Sequence, residues 1–354
     1  MKQELVKYLD DLESRIDPEA EKRLYRQWTA YADGTLGESR QTRDIAPRKG
    51  VPSSIDWPAI TINEALATPE QMLYSQLKQC SDQLAAGGNN FLWMRANYGV
   101  GIVPSMLGCP IFYMPPEMNT LPNVRSLAGG EAAIRQLAEG SLPSFSGGWG
   151  KDVLAVGAAF AQIREKYPKI AAFVRIDHPD CQGPIDLCEL LWGSDLFYAF
   201  YDDDALVHRL LDQVTDFYTS FLDHWFALLP RPDSFHSYFR ALHKGAVTIR
   251  NDSAMNLSPE LYGEFIFPYD QRVFRHFGGG MVHFCGTGTH FIAKMAEMEG
   301  LYAVDISQPH LNDLEVLLSN TVDRGINLQA PDVPEFEAVI ADGGKHNFDR
   351  LSLA

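Results

Sequence analysis

Cysteine is scarce in this chain: Cys80, Cys109, Cys181, Cys188 and Cys285 are scattered over 354 residues. An odd, unclustered set does not make a disulfide framework, so the core must be held by apolar packing and the expected compartment is the reducing cytoplasm. Long apolar runs are missing as well. No stretch approaches the ~18 to 20 apolar residues that a membrane helix needs. The segment from Met1 to Arg15 is charged and helix-like rather than a signal peptide. Positive charge is short: 30 Lys plus Arg stand against 46 Asp plus Glu, a net charge of -16, with no local basic cluster to offset it. Such a field repels nucleic acids and anionic membranes, and both are excluded as partners. No internal repeat or low-complexity segment occurs. A dinucleotide fingerprint is absent too, because Pro104 and Leu107 fall where Gly99-Val100-Gly101 would need its third glycine.

What is present is an ordinary globular composition, 45% hydrophobic and 21% charged, in a chain long enough for one large α/β domain with an extension. Residues 1–88 read as a helical extension. Leu5, Leu9, Leu12 and Ile16 fall at helical spacing, Pro18 starts a second amphipathic piece, and residues 33–60 collect glycine, proline and serine as a loop. A third helix runs from about residue 69 to 86 and stops at Gly87-Gly88. This extension would pack on the main domain and offers a subunit contact, as in a homodimer.

From residue 89 to 354 short apolar strands alternate with helical stretches. Strands are expected at 91–96, 111–114, 173–177, 235–239, 247–252, 281–285, 302–306 and 326–329. Helices are expected at 131–139, 151–166, 203–229, 258–277 and 310–321. Roughly eight β/α units over about 260 residues is the size of a (β/α)8 TIM barrel, with an open doubly wound sheet as the alternative. In a barrel, function sits at the carboxyl ends of the strands. Those ends carry Arg95 and Asn97, Asp177 and His178, His236, Arg250 and Asp252, His283 and Cys285, Asp305, and Gln329. Each alone is compatible with a satisfied structural polar group, but a polar residue at nearly every strand end reads as an active-site rim.

The most informative run is Gly278-Gly279-Gly280 through Met281, Val282, His283, Phe284 and Cys285 to Gly286-Thr287-Gly288-Thr289-His290. Residues two apart on a strand face the same side, so His283 and Cys285 share a face and can hold a soft metal such as zinc. A core cysteine beside a hydrogen-bonded histidine is the plainer alternative. No cysteine follows Cys285, so a third ligand would come from His290, His178, Glu117 or Asp305. His290 is first choice, because the glycine-rich link can fold it back.

Several segments together resemble the uroporphyrinogen decarboxylase superfamily. They are Gly183-Pro184-Ile185-Asp186-Leu187 leading to Trp192-Gly193, the helix from Tyr201-Asp202-Asp203-Asp204 to His208, and Arg250-Asn251-Asp252-Ser253. To these are added Leu257-Ser258-Pro259-Glu260-Leu261, Pro268-Tyr269, and Gly278-Gly279 followed by His283-Phe284-Cys285-Gly286. The resemblance covers about residues 90–330 and implies a (β/α)8 barrel. Locally, Ser258-Pro259-Glu260 is a helix start, and Pro268 would kink or end that helix. The decarboxylase branch carries two arginines on its first strand where Trp93-Met94-Arg95-Ala96-Asn97 has one. The methyltransferase branch carries H-x-C, matched by His283 and Cys285, and a later cysteine that this chain lacks.

The resemblance therefore implies zinc-assisted methyl transfer from a methylated corrinoid, borne by a partner protein, to a thiol or other small acceptor. In that reading Asp177, Arg250, Asp252 and Asp305 are catalytic. Arg95, Asn97, His178, His236 and Gln329 bind substrate, and His283, Cys285 and His290 hold the metal. A metal-free carboxy-lyase acting on a porphyrinogen-like carboxylate, with Arg95 and Arg250 as carboxylate clamps, is the second reading. A non-catalytic barrel that binds a corrinoid or tetrapyrrole is the third.

Overall fold

Parallel strands alternating with helices account for most of the chain in the computed structural model, which describes residues 3–37, 42–238, 241–341 and 346–353. The strands are β1 (Leu92–Met94), β2 (Ile111–Phe112), β3 (Asn123–Val124), β4 (Val174–Ile176), β5 (Phe235–Tyr238) and β6 (Ala241–Lys244). They continue with β7 (Val247–Arg250), β8 (Gly280–Phe284), β9 (Leu301–Ile306), β10 (Asn327–Ala330) and β11 (Leu351–Leu353). Five of them form one parallel sheet in the order β11-β10-β9-β8-β7, and β1 pairs with β4, also parallel. Every residue of β8 is buried, as a continuous apolar strand covered on both faces requires.

Two expected strands leave the parallel pattern. Residues 111–114 shrink to the two-residue β2, which pairs antiparallel with β3 and therefore adds no β/α unit. Residues 235–239 begin as β5 but fold back on β6 as an antiparallel hairpin, with Phe235 opposite Lys244 and Tyr238 opposite Ala241. Phe239, and residues 38–41 of the expected loop, lie outside the described residues. The 258–277 helix is interrupted at Ile266 into Pro259–Phe265 and Phe267–Phe277. Pro268 is the cause, since its ring lacks the N–H that would continue the ladder. Ser258 caps the first piece, accepting from the Leu261 N–H.

The N-terminal helices (Gln3–Arg15 and Pro18–Ala32) share cores with the rest of the chain. Leu5, Leu9 and Leu12 belong to the same buried cluster as the strands, while Trp28 and Tyr31 pack with Phe91 and Leu242. Tyr31 also reaches the start of β10, where its backbone carbonyl accepts from Asn327 Nδ2 at 3.1 Å. Among the described residues no helix is long and apolar enough to cross a membrane.

The register of the five-stranded sheet matters most for function. Arg250 pairs with His283, His283 with Asp305, Asp305 with Gln329, and Gln329 with Ser352. Residues paired across parallel strands share a face, so five polar side chains form one unbroken row across the sheet.

Candidate metal centre and adjoining cavity

His283 is buried near the end of β8, and its Nδ1–H donates to Asp305 Oδ2 at 2.5 Å. That bond leaves Nε2 facing two further donors, Cys285 Sγ at 3.6 Å and Asp252 Oδ1 at 3.6 Å. Ligand atoms of Asp252, His283 and Cys285 all lie within 4.8 Å of one another. Nitrogen, sulfur and carboxylate oxygen are the donor types that zinc accepts, and a carboxylate behind the imidazole is the usual way a metal-binding histidine is oriented. The residues present therefore fit a zinc ion. Burial by itself would lower the His283 pKa, but the bonds to Asp305 and Cys285 outweigh it and raise it to about 9.

Asp252 follows β7 at the start of a 3-10 turn (Asp252–Asn256). Its Oδ1 accepts from the Cys285 N–H at 2.9 Å, which ties the end of β7 to the end of β8. The turn is itself held from below. Buried Asp186 accepts from the Asp252 and Ser253 N–H groups at 2.9 and 2.8 Å. Burial and the neighbouring Asp252 charge raise the Asp186 pKa to about 7. Asp186 belongs to the helix Pro184–Trp192, which comes this close because Gly183 precedes it. A Cβ on Gly183 would meet the Arg250 carbonyl and Asn251 Oδ1, both at 2.5 Å. On the far side of the turn, Gly286 has a φ of +79°, which a side-chain-bearing residue rarely adopts, and Met255 fills the space its Cβ would need.

The His283–Asp305 pair also borders a cavity of about 570 Å³, whose walls include Trp93, Tyr238, Ser307, Gln329 and Ser352. The remaining rim residues divide into those engaged elsewhere and those open to the cavity. Arg250 Nη1 donates to Asp180, and Arg95 Nη1 lies 3.8 Å from the same carboxylate. Arg95 Nε also donates to Asn97 Oδ1 at 3.1 Å. Asp177 is buried and accepts from Ser237 Oγ. Of the four expected catalytic residues, Asp305 lines the cavity with His283, Asp252 stands on the metal side, and Arg250 sits beside them in register. Asp177 is not among the cavity-lining residues.

His178 and His236 are buried and stacked, ring centroids 4.7 Å apart and 10° from parallel, with His243 edge-on to His236 at 5.5 Å. His178 Nδ1–H donates to the Pro179 carbonyl and Nε2 accepts from the Thr248 N–H at 2.9 Å, so both ring nitrogens are used within the protein. Burial lowers its pKa to about 4, that of His243 to about 3, and that of His236 well below the ordinary histidine value. This neutral stack packs the hairpin against β4 and β7 and is absent from the cavity lining.

The third member of the converging cluster is Asp252, and the structure places His290 apart from it. His290 Nε2 contacts the Leu257 carbonyl at 2.9 Å and is not among the converging ligand atoms, whereas Asp252 is. The glycine-rich link turns outward: Asn312 Oδ1 accepts from the Gly288 N–H at 2.6 Å, and Asn312 Nδ2 donates to the Gly286 carbonyl at 3.0 Å. Glu117 lies exposed on the turn Pro116–Met118, outside the cluster. Sequence reading missed Asp180, the shared partner of Arg95 and Arg250, and the supporting role of Asp186. A carboxylate three residues past a strand carries no periodic signal, and Asp186 had been visible only as part of a Gly-Pro segment.

No family model matches this chain, and no curated protein matches it.

Proposed function

We propose that this protein is a metal-dependent methyltransferase resembling the uroporphyrinogen decarboxylase superfamily, with Asp252, His283 and Cys285 as the metal ligands. The observation that carries the reading is the convergence of those three ligand atoms, backed by Asp305 on the opposite nitrogen of the imidazole. Zinc, when bound, supplies a Lewis acid that turns a thiol into a thiolate near neutral pH.

The chain's own residues would prepare that chemistry. Asp305 holds the His283 ring with Nε2 toward the ligand cluster. Asp186 fixes the turn that presents Asp252. The cavity beside His283 would admit the small acceptor, and a corrinoid carried by a partner protein would deliver the methyl group. A (β/α)8 barrel is the architecture we favour. In its support, His178 links β4 to β7 through the Thr248 N–H, and one cavity is walled by residues on or beside β1, β5, β6 and β8 to β11. The cytoplasm remains the proposed compartment, consistent with five free cysteines.

A metal-free carboxy-lyase would need Arg95 and Arg250 to grip a carboxylate. Asp180 already lies against both guanidiniums, so this reading is less favoured. The deciding experiment incubates zinc-loaded protein with a methylated corrinoid and a panel of small thiols. Corrinoid demethylation with formation of the thioether is expected. Demethylation no faster than without protein, for every thiol, would contradict the proposal.

A further inference from the structure

One member of the polar row is left without a well-formed hydrogen bond. Arg250 is held by Asp180, His283 by Asp305, and Ser352 Oγ bonds Thr42 Oγ1 at 2.7 Å. Gln329 sits between Asp305 and Ser352 in that row and is 3% exposed, yet both its amide oxygen and its amide nitrogen are buried without a hydrogen bond. The Tyr31 hydroxyl is close enough to interact with this amide, but neither amide atom makes a well-aligned hydrogen bond. A buried amide left without full hydrogen bonds is costly to the fold, so such a side chain in a cavity wall calls for a ligand.

We infer that the cavity is a binding site for an uncharged ligand whose docking end is an amide-type group, an N–H donor beside a carbonyl acceptor, received by Gln329. A glutamine amide offers one acceptor and two donors in a plane, and another amide edge answers both at once. Trp93 and Tyr238 in the same walls supply flat aromatic surface for a planar ligand. Charge argues the same way. The Asp305 carboxylate is the in-register neighbour of Gln329, and the described lining holds no lysine or arginine. His283, the basic group of that lining, already pairs with Asp305, so no unpaired cation is offered to a carboxylate among the described residues, whereas a neutral amide needs none. At about 570 Å³ the cavity is in the size range of small-molecule sites. That this ligand is the methyl acceptor rests on the function proposed above; its binding does not.

The test is calorimetric titration of the full chain with benzamide, benzoate and benzamidine, which share a ring and differ in the docking group. Zinc content is measured on each preparation. Wild-type protein should bind benzamide about tenfold or more tightly than benzoate, because a site built around hydrogen bonds rejects the analogue that cannot complete them. Gln329→Leu should abolish that preference. Gln329→Glu should shift it toward the cationic benzamidine, and carries the test if the leucine variant does not fold. Equal affinity for amide and acid in the wild type, no binding of any probe, or a preference that survives Gln329→Leu overturns the inference. Protein that takes up zinc but lacks the amide preference sinks this inference alone. An amide preference in protein that takes no zinc sinks the methyl-transfer reading alone.

Discussion

His283 and Asp305 occupy paired positions on β8 and β9, and the 2.5 Å bond between Nδ1 and Oδ2 decides which imidazole nitrogen faces Asp252 and Cys285. Asp305 thus governs the ligand cluster without being part of it. Asp305→Asn should keep the fold and lower zinc affinity by about 10- to 100-fold, the usual effect of losing such a supporting carboxylate. Competition with a chelating dye measures this. An unchanged affinity would show that Asp305 has no orienting role.

The same bond sets a pH dependence for metal uptake. His283 titrates at about 9, above the ordinary 6.5, so near pH 7 its Nε2 carries a proton that a metal must displace. Apparent zinc affinity should rise by about tenfold or more per pH unit between 7 and 9. In the metal-free protein the sign for stability is opposite. A raised folded-state pKa contributes stability that is complete below 6.5 and lost as pH climbs through about 9. Urea unfolding with chelator present should show stability falling over that window. In Asp305→Asn the decline should shrink.

Asp270 lies beneath the turn that carries Asp252. It accepts from Asn251 Nδ2 at 2.5 Å, and burial raises its pKa to about 8. Its Oδ1 and Asn251 Oδ1 are both left without hydrogen bonds. The native state therefore holds a proton that the unfolded chain releases near pH 3.8, and stability from this group falls as pH rises from about 4 toward 8. Asp270→Asn keeps the acceptor for Asn251 and removes the titration. It should flatten the decline and stabilise the protein at pH 8 relative to wild type, as read by the urea midpoint. A variant less stable at pH 8 would contradict this account of the site.

The stacked histidines work in the other direction. With folded-state pKa values of about 4 for His178 and about 3 for His243, their contribution is present above 6.5 and lost as pH falls toward 4. His243→Gln should reduce the loss of stability between pH 6.5 and 4.5. If its unfolding curve follows the wild type across that range, this histidine does not contribute to acid sensitivity.

Strong local signals were readable in the sequence. The helix Pro69–Ala86 begins after its Thr68 cap and ends at Gly87, and Pro268 interrupts its helix where proline chemistry demands. The sharing of a face by His283 and Cys285 followed from the two-residue strand period alone. Pairing was not legible. Nothing in Ala241-Leu242-His243-Lys244 distinguishes a hairpin return from a loop, and Leu351–Leu353 is too short to register as a strand. Asp252 reads from the sequence as a site residue, but its place beside His283 and Cys285 is not legible there, because it depends on the β7–β8 register and on Asp186. The glycine-rich link suggests that His290 folds back toward Cys285, whereas Asn312 holds Gly286 and Gly288 and His290 contacts the Leu257 carbonyl instead.

Metal analysis of four zinc-supplied, chelator-free preparations tests the central claim most directly: wild type, Cys285→Ala, Asp252→Ala and His290→Ala. The account predicts stoichiometric zinc in the wild type and in His290→Ala, and its loss from Cys285→Ala and Asp252→Ala with the fold retained by circular dichroism. A wild-type protein that holds no zinc, or an Asp252→Ala protein that holds as much as wild type, would contradict it.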